Sequence, residues 1–127
     1  MPLVRIDLPQ GRDESGRNAI GEVVYAAMTE TLNVPKGDRF QVIVEHPGGD
    51  LVIDPGYLGI ARTKDAIIIQ ITLNEGRTIA QKQAFYRAVA DGLNARVGLR
   101  REDVTISLVE VKKENWSFGN GEAQYTT

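Results

Sequence analysis

The sequence contains no cysteine, which excludes disulfide bonds, thiolate nucleophiles and cysteine-ligated zinc. His46 is its only histidine. That count argues against a multi-histidine metal site and against a Ser-His-Asp relay. There is no basic excess: Lys and Arg total 15, Asp and Glu total 17, and the net charge is −2. Nucleic acid and anionic membrane surfaces both favour a basic partner, so neither is expected. No apolar run approaches the ~20 residues a membrane-spanning helix needs, and the N-terminus lacks a secretory apolar stretch. A cytoplasmic protein is expected. What remains is ordinary globular material: 127 residues, 42% hydrophobic and 25% charged. A chain of this length forms one domain and buries roughly two-thirds of its unfolded surface. Any chemistry must come from less usual groups.

The chain carries an internal repeat. Arg5-Ile6-Asp7-Leu8-Pro9-Gln10-Gly11-Arg12 aligns with Gln70-Ile71-Thr72-Leu73-Asn74-Glu75-Gly76-Arg77. The same offset carries Ile20, Val24, Met28 and Leu32 onto Phe85, Val89, Leu93 and Val97. It also carries Asp38, Ile43, Val44 and Glu45 onto Asp103, Leu108, Val109 and Glu110. The repeat spans about 2–46 and 67–111, with a connector at 47–66 and an aromatic tail at 114–127. All belong to one domain, 1–127.

Each half predicts strand, helix, strand. Leu3 to Leu8 alternates as a strand does. Asp13 or Ser15 caps a helix running to about Asn33, with apolar positions 20, 23, 24, 27, 28 and 32 on one face. Val34-Pro35 stops it, and Phe40 to Glu45 is the second strand. In the second half, Ala66 to Leu73 is apolar enough to suggest burial on both faces. Thr78 caps a helix to about Val97 with Gly98 at its end, and Val104 to Val111 closes the unit. In the connector, Leu51-Val52-Ile53 reads as a short edge strand, while Tyr57 and Arg62 are candidates for a lid. His46 reads as a loop residue. Two such units make an α+β fold: a four-stranded mixed sheet with both helices on one face and right-handed crossovers. The bare face predicts oligomerisation into a closed ring, since apolar area left in water costs about 25 cal/mol per Å². Trp116, Phe118 and Tyr125 in the tail predict packing on a neighbouring surface, within the chain or on another subunit.

The chemistry points to the start of the chain. Met1 precedes Pro2, and a small second residue favours removal of the initiator methionine. Pro2 would then be a secondary amine. An α-amino group titrates near pH ~8, closer to neutrality than lysine. Burial lowers that value and nearby carboxylates raise it. Neutral, the amine is a general base; cationic, it is a general acid or an iminium precursor. If the two equivalent first strands pair antiparallel, Pro2 lies near Leu73 to Arg77. Arg77, after Gly76 at a helix mouth, then offers an anion site. Arg12 occupies the equivalent place in the first half, so a structural arginine is the alternative. The equivalent of Pro2 is Ile67, inside the chain, so only one of the two pseudo-sites can be catalytic.

Taken together, the Met-Pro start, the duplicated unit, Val34-Pro35-Lys36-Gly37-Asp38-Arg39-Phe40-Gln41 and the Trp116-Ser117-Phe118-Gly119 tail resemble the tautomerase superfamily. The similarity is to its malonate semialdehyde decarboxylase branch and covers nearly the whole chain. The resemblance implies a homotrimer of this fold, no cofactor and no metal, and an N-terminal proline as the catalytic group. It implies that Pro2 is that proline, Asp38 assists it, Arg77 binds a substrate carboxylate, and Trp116 and Phe118 wall the pocket. Asp38 also reads as a turn residue, and the two aromatics as packing groups. One position departs: the branch carries a second arginine two residues before Arg77, where this chain has Glu75. The expected function is proton transfer by Pro2 in keto–enol tautomerisation of a small oxo acid. Alternatives are decarboxylation of a 3-oxo acid such as malonate semialdehyde, hydration of an unsaturated acid, and a non-enzymatic trimeric binding protein that kept the fold.

Overall fold

The computed structural model describes residues 2–126. The expected removal of Met1 and the last residue of the tail, Thr127, lie outside the described residues. The order of elements is β1 (Leu3–Pro9), α1 (Glu14–Thr31), β2 (Phe40–His46), β3 (Ile67–Asn74), α2 (Ile79–Val97) and β4 (Val104–Val111). The sheet runs β2-β1-β3-β4. β1 is parallel to β2 and β3 is parallel to β4, while β1 and β3 meet antiparallel with Ile6 opposite Ile69. Two β–α–β units are thus related by an approximate twofold at the sheet centre.

Local chemistry sets the element ends. Asp13, not Ser15, caps α1, its carboxylate accepting from the Gly16 amide. Thr78 and Gln81 form a reciprocal capping box on α2, and Gly98 ends it in the left-handed region at φ 69°. α1 stops earlier than the expected Asn33, at Thr31. Asn33 itself takes φ 57°, and the Val34 amide turns back to donate to the Met28 carbonyl. The stop is therefore a left-handed asparagine ahead of Pro35. Gly11 and Gly76, equivalent in the repeat, both sit in the left-handed region at φ 126° and 121°. Each turn from strand into helix needs a residue without a side chain there.

The core lies between the helices and one sheet face. Val4, Ile6 and Leu8 of β1 and Ile67, Ile69, Ile71 and Leu73 of β3 point into it. They meet Ile20, Val24 and Met28 of α1 and the equivalent Phe85, Val89 and Leu93 of α2. The other sheet face is uncovered in the single chain, with Leu3, Phe40, Val42 and Val109 exposed. Within the single chain β3 is buried on its helix-facing side, while Gln70 is exposed and Ile68 and Thr72 are half-buried on the other.

The connector also differs from expectation. Leu51–Ile53 forms no strand. The turn at Pro47–Asp50 carries this segment across the end of the sheet, beside Pro9, Thr63 and Ala66, so it never runs along an edge where a ladder could form. Arg62 fastens the loop by donating to the carbonyls of Asp54, Tyr57 and Ile60. The connector follows β2 and leads into β3, so it occupies the sheet end opposite Pro2. Tyr57 and Arg62 therefore form no lid over Pro2 of their own chain. His46 is the last residue of β2, with its Nε2 2.7 Å from the Asp7 carboxylate. Among the described residues, no helix is long and apolar enough to cross a membrane.

Candidate active site

Leu3 stands opposite Phe40 of β2 and Thr72 of β3. One step earlier along the chain, Pro2 is level with Arg39 on one side and Leu73 on the other. Pro2 is buried at the sheet end where β1 and β2 begin and β3 finishes. Asp38 lies just before β2, Asn74 ends β3, and Arg77 follows at the mouth of α2. The antiparallel arrangement that the repeat predicts brings all four to one end of the molecule.

Asp38 is 7% exposed. Its amide donates to the Pro35 carbonyl, and the preceding Gly37 amide donates to the Tyr25 hydroxyl, tying the turn to α1. The repeat clarifies its position. Asp103, the equivalent residue, is 1% exposed and accepts from the Thr63 amide at 2.7 Å and the Thr63 hydroxyl at 2.6 Å. Thr63 belongs to the segment leading into β3. In each unit a buried carboxylate thus stands at the foot of the second strand, beside the chain entering the first. In the first unit that entering chain is the N-terminus.

Arg77 is half-buried. Its Nε and Nη2 donate to the Leu32 carbonyl at 3.1 and 3.0 Å, and its Nη1 donates to the Asn74 carbonyl at 3.1 Å. The guanidinium clamps the C-terminal end of α1, where helix carbonyls lack helical partners and a cation is favoured, to the end of β3. A guanidinium carries five donors, so the clamp leaves capacity for a carboxylate. Glu75 is exposed and shares an open depression with Arg77, Leu32, Asn33, Gly76 and Gln81.

The tail folds back on its own chain over this end. The Trp116 indole N–H donates to Asn74 Oδ1 at 2.8 Å. Phe118 stacks on Trp116 at 5.3 Å and lies 6.0 Å from Phe40, while Tyr125 meets Phe118 edge-on at 5.3 Å. Gln124 closes the loop, accepting from the Phe118 amide and donating to the Gly119 carbonyl, both at 2.9 Å. The aromatics therefore run from β4 past the end of β3 to the start of β2, beside Pro2.

Two residues of this end are not site candidates in the sequence: Asn74, and Tyr125, which reads there only as a packing aromatic of the tail. Asn74 is 8% exposed, a buried amide that closes an apolar strand. That placement was its only sequence signal. Burial raises the Tyr125 pKa and the Asp38 carboxylate adds to that, against Asn74 and the Arg77 charge. Tyr125 thus feels Asp38 and Arg77 together. Among the described residues, no three of His, Cys, Asp and Glu gather into a group that could hold a metal ion.

The small duplicated α+β fold, with a buried Pro2 at one end of its sheet, defines a class, and the chain belongs to the tautomerase family. Two family models, each described as tautomerase enzyme, match residues 38–119 and 2–60. The probable tautomerase YusQ of Bacillus subtilis (strain 168) is 42% identical over 124 residues, covering 98% of each chain. The FG41 malonate semialdehyde decarboxylase inhibited by 3-bromopropiolate is 38% identical, with a TM-score of 0.90 over 97% of this chain and 93% of its own. A fused 4-OT symmetric trimer, 22% identical with a TM-score of 0.77 over 94% of each chain, shares the fold.

Proposed function

We propose that, after loss of Met1, the secondary amine of Pro2 is the reacting group of a cofactor-free enzyme that interconverts the keto and enol forms of a small oxo acid. The observation that carries this is the buried Asp38 beside the entering chain, where the equivalent Asp103 accepts from backbone and hydroxyl donors. A freed amine at Pro2 offers Asp38 a donor of the same kind. In the keto-to-enol direction, neutral Pro2 nitrogen takes the proton from the carbon next to the carbonyl. The C–H pair becomes the C=C bond, the carbonyl π pair moves onto oxygen, and that oxygen takes a proton from the Pro2 cation or from water to give the enol. In reverse the enol oxygen gives up its proton as the Pro2 cation protonates the carbon. Arg77 holds the substrate carboxylate with the donors its clamp leaves over, and Trp116 and Phe118 wall the pocket.

A second reading is favoured by the same carboxylate. Asp38 stabilises the cationic amine, the form suited to decarboxylating a 3-oxo acid. There the C–C pair released with CO2 flows toward the carbonyl, whose oxygen takes a hydrogen bond or proton from Pro2. The resulting enol then takes a proton at carbon. Likeness to the FG41 decarboxylase supports this reading. The exposed Glu75 need not oppose an anion that Arg77 holds. Either enzyme assembles as a homotrimer through the bare sheet face, which presents Leu3, Val42 and Val109 to solvent.

The test is a proton NMR time course with malonate semialdehyde and, separately, with an enolised 2-oxo acid. It compares Pro2→Ala with wild-type protein whose intact mass shows loss of Met1. Faster enol conversion by wild type alone supports tautomerisation. Acetaldehyde formed by wild type alone supports decarboxylation. Equal turnover by wild type and Pro2→Ala overturns the proline mechanism, and no turnover of either substrate favours a binding protein.

A further inference from the structure

We propose that the sheet end opposite Pro2 carries a second ligand site, which binds a short-chain carboxylic acid through His46 and Lys64. This site is independent of the proline chemistry and arises from the duplication. At the proline end an open depression is lined by Asn74 at the end of β3, by Val111 at the end of β4, and by Lys112 and Lys113 beyond it. The repeat carries these positions onto Pro9, His46, Pro47 and Gly48. All four line a cavity of about 220 Å³ at the other end. The fold thus forms a pocket twice, and the two copies hold different residues. The counterparts of Asp7 and His46 are Thr72 and Val111, so the fold closes this corner without an ion pair. An imidazole nitrogen 2.7 Å from a carboxylate is particular to the first unit.

The cavity has the chemistry of a site for a small acid. Asp7 is ion-paired with Arg5 at 3.1 Å, and an ionised carboxylate only accepts. His46 therefore donates to it from Nε2 and keeps Nδ1 for a ligand; among the described residues Nδ1 has no partner. Protonated, the ring donates from both nitrogens, to Asp7 on one side and to a bound carboxylate on the other. Lys64 lines the same cavity, is exposed, and pairs with no carboxylate among the described residues. It supplies a second positive charge. Leu51 and Ile53 also line the cavity and are half-buried, while Val52 between them is 84% exposed. The apolar stretch that forms no strand thus turns two of its side chains onto the cavity, where they offer carbon surface to a short alkyl chain. The volume is below the ~300–1,000 Å³ of drug-sized ligand pockets, which suits an acid of a few carbons rather than a nucleotide or a peptide.

The test is proton NMR of the full-length protein in mildly acidic buffer, titrated at matched pH and ionic strength with propionate and with propionamide, its neutral counterpart. His46 is the only histidine, so its ring C–H signals report on this end of the sheet. Pro2 lies at the far end of β1, roughly 20 Å away. The expected result is a saturable shift of the His46 signals with propionate and none with propionamide. In Lys64→Ala, an exposed position whose change leaves the core intact, propionate is expected to bind about tenfold more weakly or worse, the scale of a charged hydrogen bond. A shift that propionamide produces equally, or that rises without saturating, overturns the site. An affinity unchanged in Lys64→Ala overturns it too, because the acid would then be held elsewhere. No shift of the His46 signals with propionate overturns it directly.

Discussion

Arg77 has two tasks at once. It satisfies the Leu32 and Asn74 carbonyls, and in the proposed chemistry it holds a carboxylate. Removing it leaves part-buried carbonyls without a partner, at about 1–3 kcal/mol, and removes the carboxylate's partner. Arg77→Ala is predicted to lower the thermal midpoint and to raise KM for a carboxylate substrate about tenfold or more, a loss on the scale of a charged hydrogen bond. Steady-state kinetics with the acid and its methyl ester separate the two effects. A purely structural arginine would weaken both substrates alike. A second residue-scale test concerns Asp7. Burial pushes its carboxyl up, but hydrogen bonds from His46 and Arg5 and their charges outweigh this and hold it below the ordinary value of 3.8. A depressed carboxylate stabilises the fold above its unfolded pKa and loses that contribution as pH falls through the folded value. Asp7→Asn is therefore predicted to be less stable than wild type at pH 6, with the gap closing toward pH 3, as read from urea midpoints.

At the scale of elements, the two helices touch where Gly92 lets them. A Cβ on Gly92 would lie 2.7 Å from Val23 Cγ1, and valine, branched at its own Cβ, has little freedom to retreat. Alanine gains roughly 1 kcal/mol of helix propensity, but overpacking costs about 1–3 kcal/mol. Gly92→Ala is accordingly predicted to lower the thermal midpoint in a melting experiment; an increase would show that the helix pair separates easily. The elements themselves were largely legible because their signals are local. Thr78 with Gln81, Gly98, and the paired apolar positions of the repeat each follow from chemistry within a few residues. Failures arose where long-range geometry decides. Asn33 ends α1 through a left-handed turn that Pro35 masks. Leu51–Ile53 is apolar enough for a strand but meets no free edge. In the candidate site, Pro2, Asp38 and Arg77 could be singled out from the repeat and the chain start. Asn74 and Tyr125 could not, because only the folded tail brings them together across 51 positions of sequence.

For the whole molecule, the bare sheet face predicts assembly. Val42 is 43% exposed on the edge strand β2 of that face, and a carboxylate there would be costly to bury between subunits. Light scattering is predicted to give about three times the 14.0 kDa chain mass for wild type. For Val42→Asp the prediction is a mass near that of one chain. A wild-type mass of 14.0 kDa would contradict the trimer. The central claim, however, is that one end of this molecule carries a reactive N-terminal amine beside a carboxylate site. The most direct measurement is to treat the protein with 3-bromopropiolate, an electrophile bearing a carboxylate, and to map the adduct by mass spectrometry of its peptides. The account predicts a protein lacking Met1, a single adduct on the nitrogen of Pro2, and loss of turnover in step with labelling. Retained Met1, or labelling elsewhere with Pro2 untouched, would contradict it.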